Sequence, residues 1–185
     1  MISLPFRRPR GGQNIAGLYG MIVTQARLPT FYRDYGVPDT VEGRLDMVML
    51  HIVLVLRRLA GPGRPLPPEG QALFDVFCQD IDDNLREMGV GDFAVPKRMQ
   101  KVGEAFYGRA RAYEAALSDS DPAALEQVVG RNVFGEPEPS LGARRLAAYM
   151  RGVARRLSVA DAAALARAEF VFPDPAAVAA PVATA

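Results

Sequence analysis

The residues best placed to do chemistry lie between Pro68 and Met88, where acids recur at helical spacing. Asp75, Gln79, Asp82 and Arg86 share one side of such a helix, and Asp80, Asn84 and Glu87 flank its apolar face on another. Paired carboxylates on a helix can hold Mg2+ against a diphosphate, the chemistry of a Mg-dependent enzyme acting on an isoprenoid diphosphate. Two features weigh against it. Asp80-x-Asp82-Asp83-Asn84 lacks the glycine and closing glutamate of a calcium loop. No second aspartate-rich helix is present to face the first. The plainer alternative is a solvated face with i,i+4 pairing, notably Asp82 with Arg86, worth ~0.3–0.5 kcal/mol. An acidic surface for a partner lies between the two.

Basic groups form two further constellations. Lys97 and Arg98 follow Pro96 in what reads as the first turn of a helix, where the dipole disfavours cations by a few tenths of a kcal/mol each. Asp92 or Glu87 could offset them; otherwise they meet an anionic group of a partner. In the stretch Ser140–Leu157, Leu146, Met150, Val153 and Leu157 make an apolar stripe. Arg144, Arg151 and Arg155 line the opposite ridge, with Arg145 and Arg156 beside it, and no acid intervenes. Such a face suits ribosomal RNA phosphates, anionic lipid or an acidic protein surface, so a ribosome- or RNA-binding adaptor is one reading.

His51 and Cys78 are the chain's only imidazole and thiol, so a Cys–His dyad would need both. Cys78 stands among Phe74, Phe77 and Ile81, the setting of a small hydrophobe rather than a nucleophile. One cysteine also rules out an intramolecular disulfide. His51 joins Arg44 and Arg58 in a polar stripe spaced by seven, the place of a boundary histidine at the edge of a core.

The element that must position these groups is Asp39–Ala60. Asp39 and Glu42 suggest a capping box, Arg57 and Arg58 sit in the last turn, and Gly61-Pro62 ends it. Nearly every side of this helix is apolar, which puts it at the centre of a bundle. The run Val48–Leu56 contains His51 and falls short of the about 20 apolar residues a membrane span needs. Around it the pattern predicts helices at about Gln13–Arg27, Thr30–Arg33, Pro68–Met88, Pro96–Ser118, Pro122–Val129, Ser140–Leu157 and Asp161–Glu169. Gly89 is the expected left-handed cap of the acidic helix. No stretch alternates long enough for a strand. The expected fold is all-α: a single-domain bundle of roughly six to eight helices over residues 13–170. Residues 1–12 read as a disordered basic arm and 171–185 as a disordered Ala/Pro tail.

A chain of 185 residues with 49% hydrophobic content can bury a core without staples. Its net charge of +1 does not suit a general nucleic-acid binder, so any basic site must be local. With no span and no hydrophobic signal core, the expected location is cytoplasmic, extended by peripheral contact at the inner face of the cytoplasmic membrane.

The middle of the chain, about residues 18–130, resembles the ubiquinol–cytochrome c chaperone family. The resemblance rests on Tyr19-Gly20 with Gln25-Ala26-Arg27, Pro29 with Phe31-Tyr32, and Gly36-Val37-Pro38-Asp39-Thr40. It continues through Gly43-Arg44, Asp46-Met47, His51 and Arg57-Arg58, then Leu73-Phe74-Asp75, Asp80, Asp82 and Asn84 to Asp92. Val95-Pro96-Lys97-Arg98-Met99 and Phe106-Tyr107-Gly108-Arg109 with Ala112-Tyr113 complete it. The resemblance implies a bacterial member: an all-helical, non-enzymatic assembly factor without cofactor or metal. It would hold newly made cytochrome b for complex III, with ribosome association and a small partner subunit among its further implications. On that reading the partner-binding residues are Tyr32, Asp39, Arg44 and His51, with Arg86, Glu87, Asp92, Lys97 and Arg98.

Overall fold

A computed structural model describes residues 10–61 and 64–179, with side chains from Asn14 onward. In chain order the helices are α1 (Arg10–Ala26), α2 (Pro29–Arg33), α3 (Val41–Ala60), α4 (Pro68–Glu87) and α5 (Val95–Ser118). After these come α6 (Pro122–Val129), a π-turn (Gly130–Phe134), α7 (Leu141–Ser158), α8 (Ala162–Ala166) and a short 3-10 turn (Pro175–Ala177). No strand occurs among the described residues. The fold is the all-α bundle that the sequence predicts.

The apolar run decides where the core lies. Met47 to Val55 are nine successive residues of α3, and all are buried. Helices α1, α4, α5, α7 and α8 and the π-turn pack around α3. Each neighbour contributes an apolar stripe: Leu18 and Ile22 of α1, Leu73 and Phe77 of α4, Phe106 and Tyr113 of α5, and Leu146, Met150 and Val153 of α7. Two glycines let the backbone approach closely. A Cβ on Gly43 would strike the Pro38 carbonyl, and one on Gly142 would strike the Tyr35 carbonyl, so the turn from α2 to α3 lies between two helices.

The helix ends follow side-chain chemistry with one correction. Ser140, Asp121 and Asp161 cap α7, α6 and α8. The cap of α3, however, is Thr40, whose hydroxyl accepts from Gly43 N at 3.1 Å. Thr40 holds the extended φ of −115° that a cap requires, which leaves the Asp39 carboxylate free for Arg44. Gly89, at φ +78°, closes α4 with the paired bonds Gly89 N to Arg86 O and Val90 N to Leu85 O.

The expected ends of the domain also move. Helix α1 starts at Arg10 rather than Gln13; residues 1–9 of the basic arm lie outside the described residues. The Ala/Pro tail is packed as far as Val178, with Phe172 and Pro175 buried. Composition misses this because two aromatic residues, Phe170 and Phe172, anchor the segment, and donors remote in sequence take its carbonyls. Gln25, Tyr35 and Arg145 donate to the carbonyls of Pro173, Pro175 and Val178. Residues 180–185 lie outside the described set. Helix α6, expected to stop at Gly130, widens into the π-turn and ends at left-handed Gly135, φ +69°.

Candidate functional site

The residues predicted to meet a partner separate into two corners and one buried position. The first corner is built where α1 ends and α3 begins. Leu28 breaks α1, and Pro29 starts the single turn α2 with a φ already set for it. Tyr32 on that turn donates its hydroxyl to the Ala26 carbonyl at 2.9 Å, tying α2 to the end of α1. Burial raises its pKa, so the phenol stays a neutral donor. Arg44 Nε meets Asp39 Oδ1 at 2.6 Å, and its guanidinium lies 6.0 Å from the Tyr32 ring. The hydrogen bond from Arg44 holds the Asp39 carboxyl below its ordinary range.

These groups line a notch of about 460 Å³ with Arg27, Pro29 and Arg33. Three guanidiniums face one carboxylate there, and Arg27 and Arg33 form no ion pair among the described residues. Such a notch suits a guest carboxylate or phosphate, because guanidinium forks match planar anions. Sequence reasoning named Tyr32, Asp39 and Arg44 but missed Arg27 and Arg33. Their signal was the cation spacing around Pro29, legible only once that proline folds α2 back.

The second corner is the α4–α5 loop. Arg86 pairs with Asp82 at 2.6 Å and with Asp92 at 2.5 Å. Asp92 therefore serves Arg86 and does not offset Lys97 or Arg98. Both lie exposed in the first two turns of α5 with Lys101, none of the three in an ion pair among the described residues. Phe93 is fully exposed between them and Met88, which is itself 58% exposed; Glu87 is exposed as well. An aromatic tip beside three free cations suits an apolar chain segment that carries an anionic flank.

His51 is not at either corner. It is fully buried, so its predicted role in touching a partner is corrected: no surface of it reaches solvent. Nδ1 donates to the Met47 carbonyl at 2.7 Å, which leaves Nε2 to accept from the Tyr149 hydroxyl at 3.0 Å. Gln25 donates to the same hydroxyl at 2.9 Å. The rings of Phe31, Tyr149 and Phe172 surround the imidazole with centroids 5.4–5.7 Å away. Burial pushes its pKa down to about 4, so it is neutral.

Much of the arginine face of α7 is engaged within the fold. Arg145 donates to the Val178 and Asp34 carbonyls and stacks 4.3 Å from the Tyr35 ring. Arg151 donates to the Pro122 carbonyl, and Arg144 lies 3.9 Å from Glu126. Arg145 and Arg151 bind the bundle to itself, while the Nε of Arg144 is buried with no hydrogen-bond partner among the described residues. Only Arg155 and Arg156 of the five are exposed.

The acidic helix is spent in the same way. Asp80 accepts from Tyr19 of α1 at 2.6 Å, while Asp75 and Asp83 accept from Gln71 and Gln79 one turn earlier. Among the described residues no three His, Cys, Asp or Glu side chains converge as metal ligands would. Cys78 is half-buried, and burial raises its pKa, the reverse of an activated thiol. A larger cavity, about 560 Å³, lies among α3, α5 and α7, lined by Leu54, Leu56, Phe106 and Leu157 with Arg57 and Arg58. It contains none of the predicted partner-binding residues, and Arg57 and Arg58 are engaged by Glu114 and the Ala160 carbonyl.

One half-buried pair escaped the sequence. Asp46 of α3 meets Arg109 of α5 at 2.7 Å, both largely out of solvent. Desolvation outweighs the arginine and raises the Asp46 pKa to about 6. Beside them the buried Tyr113 hydroxyl and Arg109 Nε have no hydrogen-bond partner among the described residues.

The profile of the family described as Ubiquinol-cytochrome C chaperone matches residues 33–172. The chain belongs to that family. The match takes in the α4–α5 corner and Asp39 and Arg44 of the notch, and it reaches past α7, further than the resemblance over residues 18–130 suggested. Among curated proteins none matches. A crystal structure of the Cbp3 homolog from Brucella abortus is similar throughout: 36% identity, 94% of this chain and 96% of that one covered, TM-score 0.81. The family assignment and this likeness support a chaperone or assembly role for the bundle. No helix among the described residues is long and apolar enough to cross a membrane.

Proposed function

We propose that this protein is a non-enzymatic assembly chaperone that holds newly made cytochrome b until ubiquinol–cytochrome c reductase is built. Family membership over residues 33–172 is the observation that carries this reading. The geometry adds the means. At the notch, Arg27 and Arg33 are cations that the fold does not use; at the α4–α5 corner, Lys97, Arg98 and Lys101 stand beside exposed Phe93. A membrane subunit outside the bilayer offers apolar helix ends and charged loops, and these corners complement both. Placing and releasing such a guest needs no bond-making group. The protein would work at the inner face of the cytoplasmic membrane, where its client inserts.

The test is genetic. Deleting the gene should lower cytochrome b and assembled complex III while other respiratory enzymes stay at normal levels. Wild-type protein should restore both, and a variant carrying Arg27→Glu and Arg33→Glu should not. Unchanged cytochrome b in the deletion strain would sink the proposal. A photocrosslinker placed at Lys97 or Arg33 should capture cytochrome b.

A further inference from the structure

Residues 170–178 run Phe-Val-Phe-Pro-Asp-Pro-Ala-Ala-Val beyond the last α-helix. Their only internal order is the turn Pro175–Ala177, which Asp174 caps. Three side chains from elsewhere hold the segment. Gln25 Nε2 donates to the Pro173 carbonyl at 3.1 Å, Tyr35 Oη to the Pro175 carbonyl at 2.7 Å, and Arg145 Nε to the Val178 carbonyl at 3.1 Å. Each bond is to main chain, so it would serve any polypeptide following the same trace. Selection comes from two apolar seats three residues apart. Phe172 lies edge-on to His51, ring centroids 5.4 Å apart, and Pro175 is buried. Side-chain donors on carbonyls, set between aromatic walls with a proline seat, are how grooves take extended proline-containing chains.

We propose that the bed formed by Gln25, Tyr35, His51 and Arg145 is a peptide-binding groove, filled in the free protein by its own C-terminal segment. Its partner is an extended stretch of another polypeptide that presents an aromatic residue and, three positions later, a proline. The inference stands apart from the cytochrome b reading, because it concerns how a chain is gripped and not which chain. The resident segment competes at the high effective concentration of a tethered ligand, so the groove is masked until the segment lifts.

The test uses the full chain and a fluorescent peptide copying residues 169–179. Anisotropy should show saturable binding to the Phe172→Ala variant, at least about ten-fold tighter than to wild type, because the variant's own segment has lost its anchor. A peptide with both anchors changed to alanine should not bind. Failure of the peptide to bind a Phe172→Ala protein with wild-type helical circular dichroism would overturn the proposal, as would equal binding of the alanine peptide. Should Phe172→Ala lose its fold, Pro175→Gly takes its place in the same titration. Loss of fold in both would make the segment part of the core and overturn the proposal too. A dimer of wild-type protein crosslinked through residues 170–178 would assign the bed to a second copy's tail instead.

Discussion

Acidification from pH 7 to 5 sets two desolvated groups of α3 against each other, and their difference can be measured. His51 has a pKa of about 4 in the folded protein and ~6.5 in the unfolded chain. Between those values the unfolded state binds the proton more tightly. The stability His51 supports is therefore complete above ~6.5 and is lost as pH falls toward 4, amounting to about 2 kcal/mol lost by pH 5. Asp46 runs the other way. Its folded pKa of about 6 lies above the ordinary ~3.9, so the folded state takes up its proton first. That contributes about 1 kcal/mol of stability as pH falls through 6. Wild-type protein should therefore lose only about 1 kcal/mol between pH 7 and 5. A His51→Gln variant, weaker at pH 7, should instead gain about 1 kcal/mol over the same interval. Asp39 and Glu169, both held below the usual carboxylate range, change at lower pH and equally in both proteins. Urea unfolding followed by circular dichroism at pH 7, 6 and 5 reads the two slopes. Parallel slopes would refute the reasoning, since they would mean that His51 titrates normally and is not sealed in the core.

Other outcomes follow from the same contacts. Asp46→Ala or Arg109→Ala alone should cost about 1–3 kcal/mol in urea unfolding, because each strands a half-buried charge; replacing the pair by Leu and Met should cost less than either. Gly43→Ala should lower stability by about 1–3 kcal/mol in thermal melts, as its Cβ meets the Pro38 carbonyl, a rigid neighbour. Arg27→Glu with Arg33→Glu should leave stability within ~0.5 kcal/mol of wild type yet abolish cytochrome b capture in crosslinking. Phe93→Ser should behave alike, being fully exposed in the free protein.

The centre of the bundle was legible because a nine-residue run, apolar but for His51, admits no other place, and the caps Asp121 and Asp161 were legible because capping is local. What failed was long-range. His51 shares its stripe with Arg44 and Arg58, and periodicity alone puts all three on one face; its partner Tyr149 is 98 residues away. The same limit hid Asp46–Arg109, an ion pair between two helices. Alanine and proline content hides the order of the tail, which comes from Gln25, Tyr35 and Arg145.

The arginines of α7 show why charge faces are hard to read from a helical wheel. The wheel was correct about the apolar stripe, since Leu146, Met150, Val153 and Leu157 are all buried. It carries no information about carbonyl acceptors, which every residue offers, and Arg145 and Arg151 are satisfied by carbonyls of Asp34, Val178 and Pro122. A guest anion at either arginine would have to replace those bonds before gaining any. Arg27, Arg33, Lys97, Arg98 and Lys101 have no ion pair among the described residues to break. Affinity for an acidic guest should therefore follow the unpaired cations at the two corners rather than the longest row of arginines. Arg155 and Arg156, exposed on the same helix as the engaged three, provide the internal comparison. Reversing their charge should leave cytochrome b capture unchanged while reversal at Arg27 and Arg33 removes it; equal losses from both would return the site to α7.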